Sequence, residues 1–283
     1  MKTIVPFNVS PRVPTLWAFF VLSMLLIVTV PDVYAQSGGF AGGATPSRFE
    51  VSAEPGEVLR RSLKIYNLGN RPARFQVATA DWTYSEDGKL GFSEVLMPAS
   101  CRPWVRLESH EIEVVPDPGR PRPFRFEVHV PADAAVQECR FALMIGSSES
   151  THTAEFDQTG ISLPVTGRLG VIVYVAIGGA QPKLVLEGVQ LRELNGRQVP
   201  TLKVSNNGLA HGRLDADLIG TEPSGKNRPL SLATSPILAG QTRYMAINGN
   251  ADGGPLIYPL TISGRIYGPS ETYQLETVLQ AGE

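Results

Sequence analysis

The amino-acid sequence predicts an all-β protein built from two β-sandwiches, on three observations. Apolar and polar residues alternate with period two along many short segments, and no apolar stripe with helical spacing runs for a useful length. Glycine (28 residues) and proline (23 residues) are abundant and mark turns between these segments. Three of the segments recur in the same order in the second half of the chain, which indicates two related domains.

The first 35 residues have the layout of a secretory signal peptide. Lys2 and Arg12 precede an uncharged apolar run from Leu16 to Val30, and Val33-Tyr34-Ala35 supplies a small-x-small cleavage pattern. The run is shorter than the roughly 20 residues that span a bilayer. We therefore predict a cleaved signal peptide, and an exported chain with no membrane span after cleavage. An uncleaved membrane anchor is the alternative interpretation.

The composition argues against several classes of function. With 25 Lys+Arg against 27 Asp+Glu, the formal net charge is −2, so the chain offers no positive field for phosphate groups and nucleic acid is not an expected partner. The four histidines are scattered along the sequence, and neither a GxSxG nor an HExxH motif occurs. We therefore expect no enzyme, no catalytic residues, no metal site and no cofactor.

Cys101 and Cys139 are the only two cysteines, and both lie in the exported part of the chain. An oxidising compartment permits a disulfide between them. A zinc site would need more ligands, and neither CxxC nor HxxxH spacing is present. We predict a structural disulfide, with two free buried thiols as the alternative.

Each predicted strand is a short alternating run between turn signals. The clearest runs cover residues 63–66, 124–130, 202–204 and 272–278. Turn signals stand at Pro55-Gly56, Pro118-Gly119, Asn207-Gly208 and Ala239-Gly240. In such turns glycine supplies a positive φ, and proline fixes the first turn residue. Strands this short, interrupted this often, are typical of β-sandwiches.

The internal repeats place the domain boundaries. LKIYNLG at residues 63–69 recurs as LKVSNNG at 202–208, and two further matches follow in order, 117–124 with 238–245 and 138–146 with 257–264. We predict a flexible leader at 36–45, a first sandwich at 46–177, a linker at 178–182 and a second sandwich at 183–283. The linker is the Gly- and Pro-containing segment that separates two apolar runs.

Several motifs of the exported chain occur in a fixed order. They are the opening strand with Pro55-Gly56, the LKIYNLG strand, Trp104-Val105-Arg106-Leu107 before Pro118-Gly119, and the segment from Val130-Pro131 to Phe141-Ala142-Leu143. Over most of residues 46–283 this order resembles the periplasmic pilus-assembly chaperones of the chaperone–usher pathway, the PapD-like proteins. The resemblance implies a divergent, non-enzymatic member located in the periplasm. It also implies two immunoglobulin-like β-sandwiches set as an L.

The resemblance further implies a pilus-type subunit as partner, held by addition of a β-strand. That task needs an exposed edge strand after a polar, mobile loop. Ser147 to Gly160 matches the loop, and Ile161, Leu163 and Val165 match the donor strand because alternate residues of a strand share one face. Pro164 removes one backbone donor, which an edge strand tolerates. The alternative is that the three apolar residues fill the core of the first sandwich.

Members of the family also hold the terminal carboxylate of the subunit between two basic residues. By position, Arg48 on the first strand and Arg168 on the last strand of the first sandwich resemble these two. Arginine in place of lysine keeps the charge and can bind a carboxylate through two hydrogen bonds. Tyr174-Val175-Ala176 stands where the family has a basic residue followed by proline. Ordinary strand-edge charges are the alternative interpretation of both arginines.

We therefore expect a periplasmic chaperone that binds exported pilus-type subunits by donor-strand complementation and delivers them for outer-membrane assembly. An outer-membrane usher is a candidate second partner. The alternative is a structural or adhesive exported protein with two immunoglobulin-like domains and no chaperone role. A sugar-binding platform built from Trp82, Trp104 and Tyr84 is a weaker alternative, since a tryptophan in a sandwich is more often core.

Overall fold

The structure is a computed structural model that describes residues 41–85, 88–98, 100–147, 152–156, 161–165, 167–194, 196–250 and 254–280, the segments 152–156 and 161–165 by their backbone only. The predicted signal peptide and leader residues 36–40 lie outside the described residues. Within the described part of the chain, no helix has the length and apolar character needed to cross a bilayer.

The described residues form nineteen β-strands and one short 3-10 helix, so the all-β prediction is confirmed. The first twelve strands are β1 (Gly42–Thr45), β2 (Arg48–Ala53), β3 (Val58–Asn67), β4 (Ala73–Tyr84), β5 (Leu90–Ser93), β6 (Val105–Leu107), β7 (Glu111–Val114), β8 (Arg122–His129), β9 (Gln137–Ser147), β10 (His152–Phe156), β11 (Ile161–Val165) and β12 (Arg168–Ile177). The other seven are β13 (Leu184–Leu194), β14 (Arg197–Asn206), β15 (Asp215–Thr221), β16 (Asn227–Leu232), β17 (Thr242–Gly249), β18 (Leu260–Tyr267) and β19 (Thr272–Leu279). The 3-10 helix covers Arg102–Trp104.

The first sandwich packs two sheets around one core. One sheet has the order β1-β3-β8-β6, and the other has the order β2-β12-β9-β4-β5 with β7 also paired to β4. Along β8 alternate residues are buried, which is what the period-two pattern predicts for a strand with one face in a core. The largest buried side chains come from both sheets: Leu63, Ile65, Phe124, Phe126, Phe141, Leu143 and Ile145.

A disulfide between Cys101 and Cys139 lies inside this core, as predicted. Cys101 precedes the 3-10 helix that leads into β6 of one sheet, and Cys139 lies in β9 of the other. The bond therefore links the two layers of the sandwich. Its sequence separation of 38 residues corresponds to roughly 3–4 kcal/mol in the chain-entropy account of disulfide stabilisation.

The second sandwich is built from the seven strands in the order β13-β14-β17-β16-β15-β18-β19. Its core is separate from the first and takes residues from both ends of this order, among them Leu202, Val204, Leu218, Met245, Ile247, Ile262 and Ile266. The chain passes from β12 to β13 through the predicted linker at 178–182, where Gly178 and Gly179 have positive φ. The boundary between the two sandwiches at 178–182 stays a prediction.

The prediction of a flexible leader over 36–45 is wrong for its last four residues. Gly42–Thr45 forms β1, which pairs antiparallel with β3 from Gly42 opposite Asn67 to Thr45 opposite Lys64. The sequence GGAT shows no alternation, although the strand pairs with the edge of β3 and Ala44 packs against the core. Gly43 also lies against Tyr66 and Leu68, at distances of 3.6 Å from the position of an added Cβ.

Candidate functional site

The last strand of the first sandwich, β12, is paired along its whole length on only one side. All ten residues pair with β9, from Arg168 opposite Gly146 to Ile177 opposite Gln137. On the other side, β2 pairs in parallel with residues 172–177 alone. Among the described residues no strand pairs with this side of residues 168–171.

The sheet edge is open at this point because the N-terminal strand changes sheets. The backbone N–H of Ile172 donates to Ser47 O (3.2 Å), which is where the pairing with β2 begins. The preceding strand, β1, belongs to the four-stranded sheet, where it pairs with β3, and the chain crosses from that sheet to β2 at Thr45-Pro46. The backbone groups of residues 168–171 on that side are therefore left without a strand partner in the described part of the chain.

Two short strands lie in the chain between β9 and β12. His152–Phe156 and Ile161–Val165 pair antiparallel as β10 and β11 and form a separate two-stranded sheet. The strand predicted at 161–165 is therefore present. The loop predicted over 147–160 is wrong for residues 152–156, which form β10, and for Ser147, which ends β9. Residues 148–151 and 157–160 lie outside the described residues.

β11 has a partner on one side only within the described structure. The three residues of the predicted donor strand, Ile161, Leu163 and Val165, occupy alternate positions opposite Phe156, Ala154 and His152 of β10. A strand with one unpaired side presents a row of N–H and C=O groups that can pair with another chain. We use the term open edge for this side of β11 together with that of residues 168–171.

The two arginines predicted to hold a carboxylate are not brought together. Arg48 pairs with Glu50 (Nε to Oε1, 2.7 Å), and Arg168 pairs with Glu94. Arg48 lies opposite Ile172 in the sheet, so it is four residues along β12 from Arg168, or about 13 Å at the usual rise of a strand. Both arginines are exposed and near the open edge, and their role as an anchor stays a prediction.

An aromatic side chain that the sequence analysis did not single out covers the start of β12. Phe92 of β5 lies across the outer face of the six-stranded sheet, with its ring 3.1 Å from the position that a Cβ would take on Gly170. Met144 Sδ lies 3.5 Å from the same position. Phe92 is 44% exposed, and Val95 and Leu96, which follow, are 78% and 54% exposed. An apolar surface therefore begins close to the open edge.

A histidine and a buried glutamate join the two sandwiches. Glu138 lies in β9 with its side chain 2% exposed, and its Oε2 lies 2.5 Å from His211 Nδ1 of the second sandwich. The same oxygen accepts a hydrogen bond from the backbone N–H of His211 (3.0 Å). The His211 ring stacks on Tyr174 of β12 with centroids 3.8 Å apart. Burial raises the pKa of the Tyr174 phenol.

Three further contacts fix the same junction. Arg213 Nη2 lies 3.3 Å from Glu50 Oε1, and the Gln241 side-chain amide donates to Tyr84 O (3.1 Å). Leu238 packs in a small buried cluster with Trp82, Ala142 and Tyr174. Trp82 is therefore buried at the junction, where it cannot serve as part of a sugar platform. None of the described side chains at this junction belongs to a group that could hold a metal ion.

The junction residues could not be found from local patterns. Glu138 and His211 are 73 residues apart, and neither stands in a motif. The one available signal is a glutamate in an otherwise apolar strand, Glu138 of the run ECRFALMIG, since a buried carboxylate requires a partner.

No family model matches the sequence, and no curated protein matches it. Among solved structures, the fold is similar to that of the YadV chaperone, with 12% identity, a TM-score of 0.44, and coverage of 84% of this chain and 100% of that one. It is similar to the class 5 fimbriae chaperone CfaA (8% identity, TM-score 0.43, 85% and 99% covered). It is also similar to the chaperone DraB of E. coli (13% identity, TM-score 0.41, 85% and 97% covered).

Proposed function

We propose that this protein is an exported periplasmic chaperone that binds a partner subunit by lending it a β-strand. The observation that carries the proposal is the open edge. A natural sheet edge is usually shortened, charged or covered, because an unpaired edge promotes aggregation. An edge kept open along β11 and the start of β12 is suited to a partner that lacks one strand of its own sheet.

In this proposal backbone hydrogen bonds provide the affinity for the partner, and the side chains at alternate positions of the lent strand determine which partner is bound. Ile161, Leu163 and Val165 would enter the unfilled core of the partner, because they occupy alternate positions of the lent strand. Pro164 costs one hydrogen-bond donor. The partner would be an exported subunit of pilus type, and it would exchange the lent strand for another during assembly at the outer membrane, where an usher is the candidate recipient.

Arg168 and Arg48 are the two candidate anchors for the terminal carboxylate of that subunit. Each pairs with an exposed carboxylate in the free protein, and exposed ion pairs contribute at most about 1 kcal/mol. A carboxylate of the partner can therefore displace Glu94 or Glu50 at low cost. Because the two arginines are about 13 Å apart along the sheet, one of them would bind the terminus and the other would bind elsewhere on the subunit.

A capture experiment with one matched pair of variants tests the proposal. The exported chain, residues 36–283, is used to recover partners from a periplasmic extract, in wild-type form and as Leu163→Glu and Ser162→Glu. We expect wild type and Ser162→Glu to recover the same small β-rich subunit and Leu163→Glu to recover none, because only position 163 would enter the core of the partner. The free energy of unfolding of both variants should stay within about 1 kcal/mol of wild type.

Three results would count against strand donation. Equal recovery by Leu163→Glu and Ser162→Glu would show that the alternate face is not used. A loss of stability in Leu163→Glu well above about 1 kcal/mol would place the side chain in the core of the first sandwich. Recovery of nothing by the wild type would favour a structural or adhesive protein.

A further inference from the structure

Exposed apolar side chains are concentrated in β5 and in the residues that follow it. Five large ones lie within eight residues: Leu90, Phe92, Val95, Leu96 and Met97. Elsewhere in the described chain such side chains stand singly in the sequence. Single exposed apolar side chains are normal on a folded protein, whereas a contiguous group of them marks a site of interaction. We use the term apolar segment for residues 92–97.

Two charged side chains that are largely buried hold the backbone of the apolar segment. The backbone N–H of Met97 donates to Asp81 Oδ2 (2.9 Å), and Arg102 Nη1 donates to Glu94 O (2.9 Å). Arg102 and Asp81 also pair with each other (Nη1 to Oδ2, 3.4 Å), and their side chains are 15% and 6% exposed. The backbone is therefore fixed on both sides of residues 95 and 96.

Val95 and Leu96 are displayed to solvent on this fixed backbone. Ser93 Oγ donates to Val95 O (2.8 Å), which holds the backbone at that residue as well. Neither side chain belongs to an apolar core of the described structure. Because the backbone is already ordered, covering these side chains with a partner costs little further conformational entropy.

The apolar segment contacts the strand that forms the open edge. Phe92 packs against the position of Gly170, and Glu94 pairs with Arg168. Both of these β12 residues belong to the stretch 168–171, which pairs with β9 on one side and with no described strand on the other. A strand added there would lie about 5 Å from β12, so the domain that contributes it would extend beside the apolar segment.

We propose that the apolar segment is a second contact surface for the partner subunit, with Val95 and Leu96 against an apolar area beside the subunit's missing strand. The inference rests on the proposed function, because it takes the occupant of the open edge as the partner. A sandwich that lacks one strand exposes apolar core residues along the gap, and the apolar segment would cover the rim of that gap. A subunit with a charged rim would be rejected, since its charge would be buried against Val95 and Leu96 without a partner.

Capture of the subunit over a dilution series of periplasmic extract tests this surface. In the exported chain, residues 36–283, Val95→Ser and Leu96→Ser are combined, and we expect the apparent affinity for the subunit to fall by about tenfold or more. Ile257→Ser combined with Val278→Ser is the matched control, because these side chains are 55% and 56% exposed and belong to the second half of the chain. The control should bind like wild type, and both double variants should unfold at the wild-type urea concentration because the replaced side chains are exposed.

A cross-linking experiment identifies what lies against the apolar segment. The protein has no free cysteine, so a cysteine introduced by Val95→Cys can be labelled with a photoactivatable benzophenone. After capture and illumination, we expect this variant to be cross-linked to the recovered subunit. Val278→Cys, labelled in the same way, should give no cross-linked product.

The outcomes separate this inference from strand donation. Wild-type affinity in the variant with Val95→Ser and Leu96→Ser, together with loss of recovery in Leu163→Glu, would overturn the inference and leave strand donation standing. Equal weakening in the control variant would show non-specific adhesion and would overturn it too. A free wild-type dimer that the variant at 95 and 96 converts to a monomer would assign the surface to a second copy of this chain and overturn it. Recovery of no subunit by wild type would remove the proposed function and this inference together.

Discussion

His211 shows how a single side chain can join two sandwiches. It contacts Glu138 through both its ring nitrogen and its backbone N–H, and it stacks on Tyr174. Glu138 Oε1, the second oxygen of the carboxylate, has no hydrogen-bond partner. The carboxylate therefore depends on His211 for its hydrogen bonds, and removal of the His211 side chain would leave only the backbone N–H as its donor.

Replacing His211 by phenylalanine should destabilise the protein by about 3 kcal/mol. Phenylalanine keeps a ring against Tyr174 and the backbone N–H, but it has no ring nitrogen for Glu138, so the loss reports on the contact between the imidazole and the buried carboxylate. Urea unfolding followed by tryptophan fluorescence measures the effect, since Trp82 lies at the same junction.

His129→Phe is the control for this experiment. His129 also pairs with a glutamate, Glu127, but its side chain is 45% exposed. This variant should lose less than about 1 kcal/mol. Equal losses for the two variants would contradict the role given to the buried pair.

At the scale of single elements, β5 is a short strand whose contact with the start of β12 is made by one residue. Phe92 reaches from β5 over the outer face of the sheet to Gly170 of β12. The absence of a side chain at Gly170 is what permits this contact. The strand therefore covers the sheet face next to the open edge without pairing to β12.

The two glycines Gly170 and Gly91 form a matched pair for testing this packing. A Cβ on Gly170 would lie 3.1 Å from the Phe92 ring, whereas a Cβ on Gly91 would meet nothing within 4 Å. We expect Gly170→Ala to lower the free energy of unfolding by about 1–2 kcal/mol, because the aromatic ring must move. Gly91→Ala should be neutral or slightly stabilising. Thermal unfolding of both variants measures the difference, and a neutral Gly170→Ala would refute the close packing.

Strands with one buried face could be predicted from the sequence, and strands without an alternating apolar pattern could not. Residues 124–130 alternate because Phe124 and Phe126 face a core, and the structure places β8 there. β1 and β10 carry no such signal in GGAT and HTAEF, so the sequence predicts a flexible leader and a loop at these two places. The disulfide could be predicted because only one pairing of two cysteines exists.

At the scale of the whole molecule, the open edge depends on where the chain changes sheets, and the Glu138–His211 contact depends on how the two sandwiches meet. No local sequence pattern indicates either property. Glu50, for example, reads as an exposed strand residue, yet it contacts Arg48 within β2 and Arg213 across the junction. The arginines predicted as a pair instead lie apart, because the parallel register of β2 and β12 places Arg48 opposite Ile172.

The open edge is the feature on which the proposed chaperone function depends, and hydrogen exchange measures it directly. In the free protein, the amides of Arg168 and Gly170 should exchange much faster than the amides of residues 172–177, which have strands on both sides. These two amides point to the open side, because alternate amides of a strand face the same way and that of Ile172 donates to Ser47 O on this side. In the complex with a captured subunit, both amides should become protected while those of 172–177 change little. Strong protection of both amides in the free protein, or no change on complex formation, would contradict strand donation.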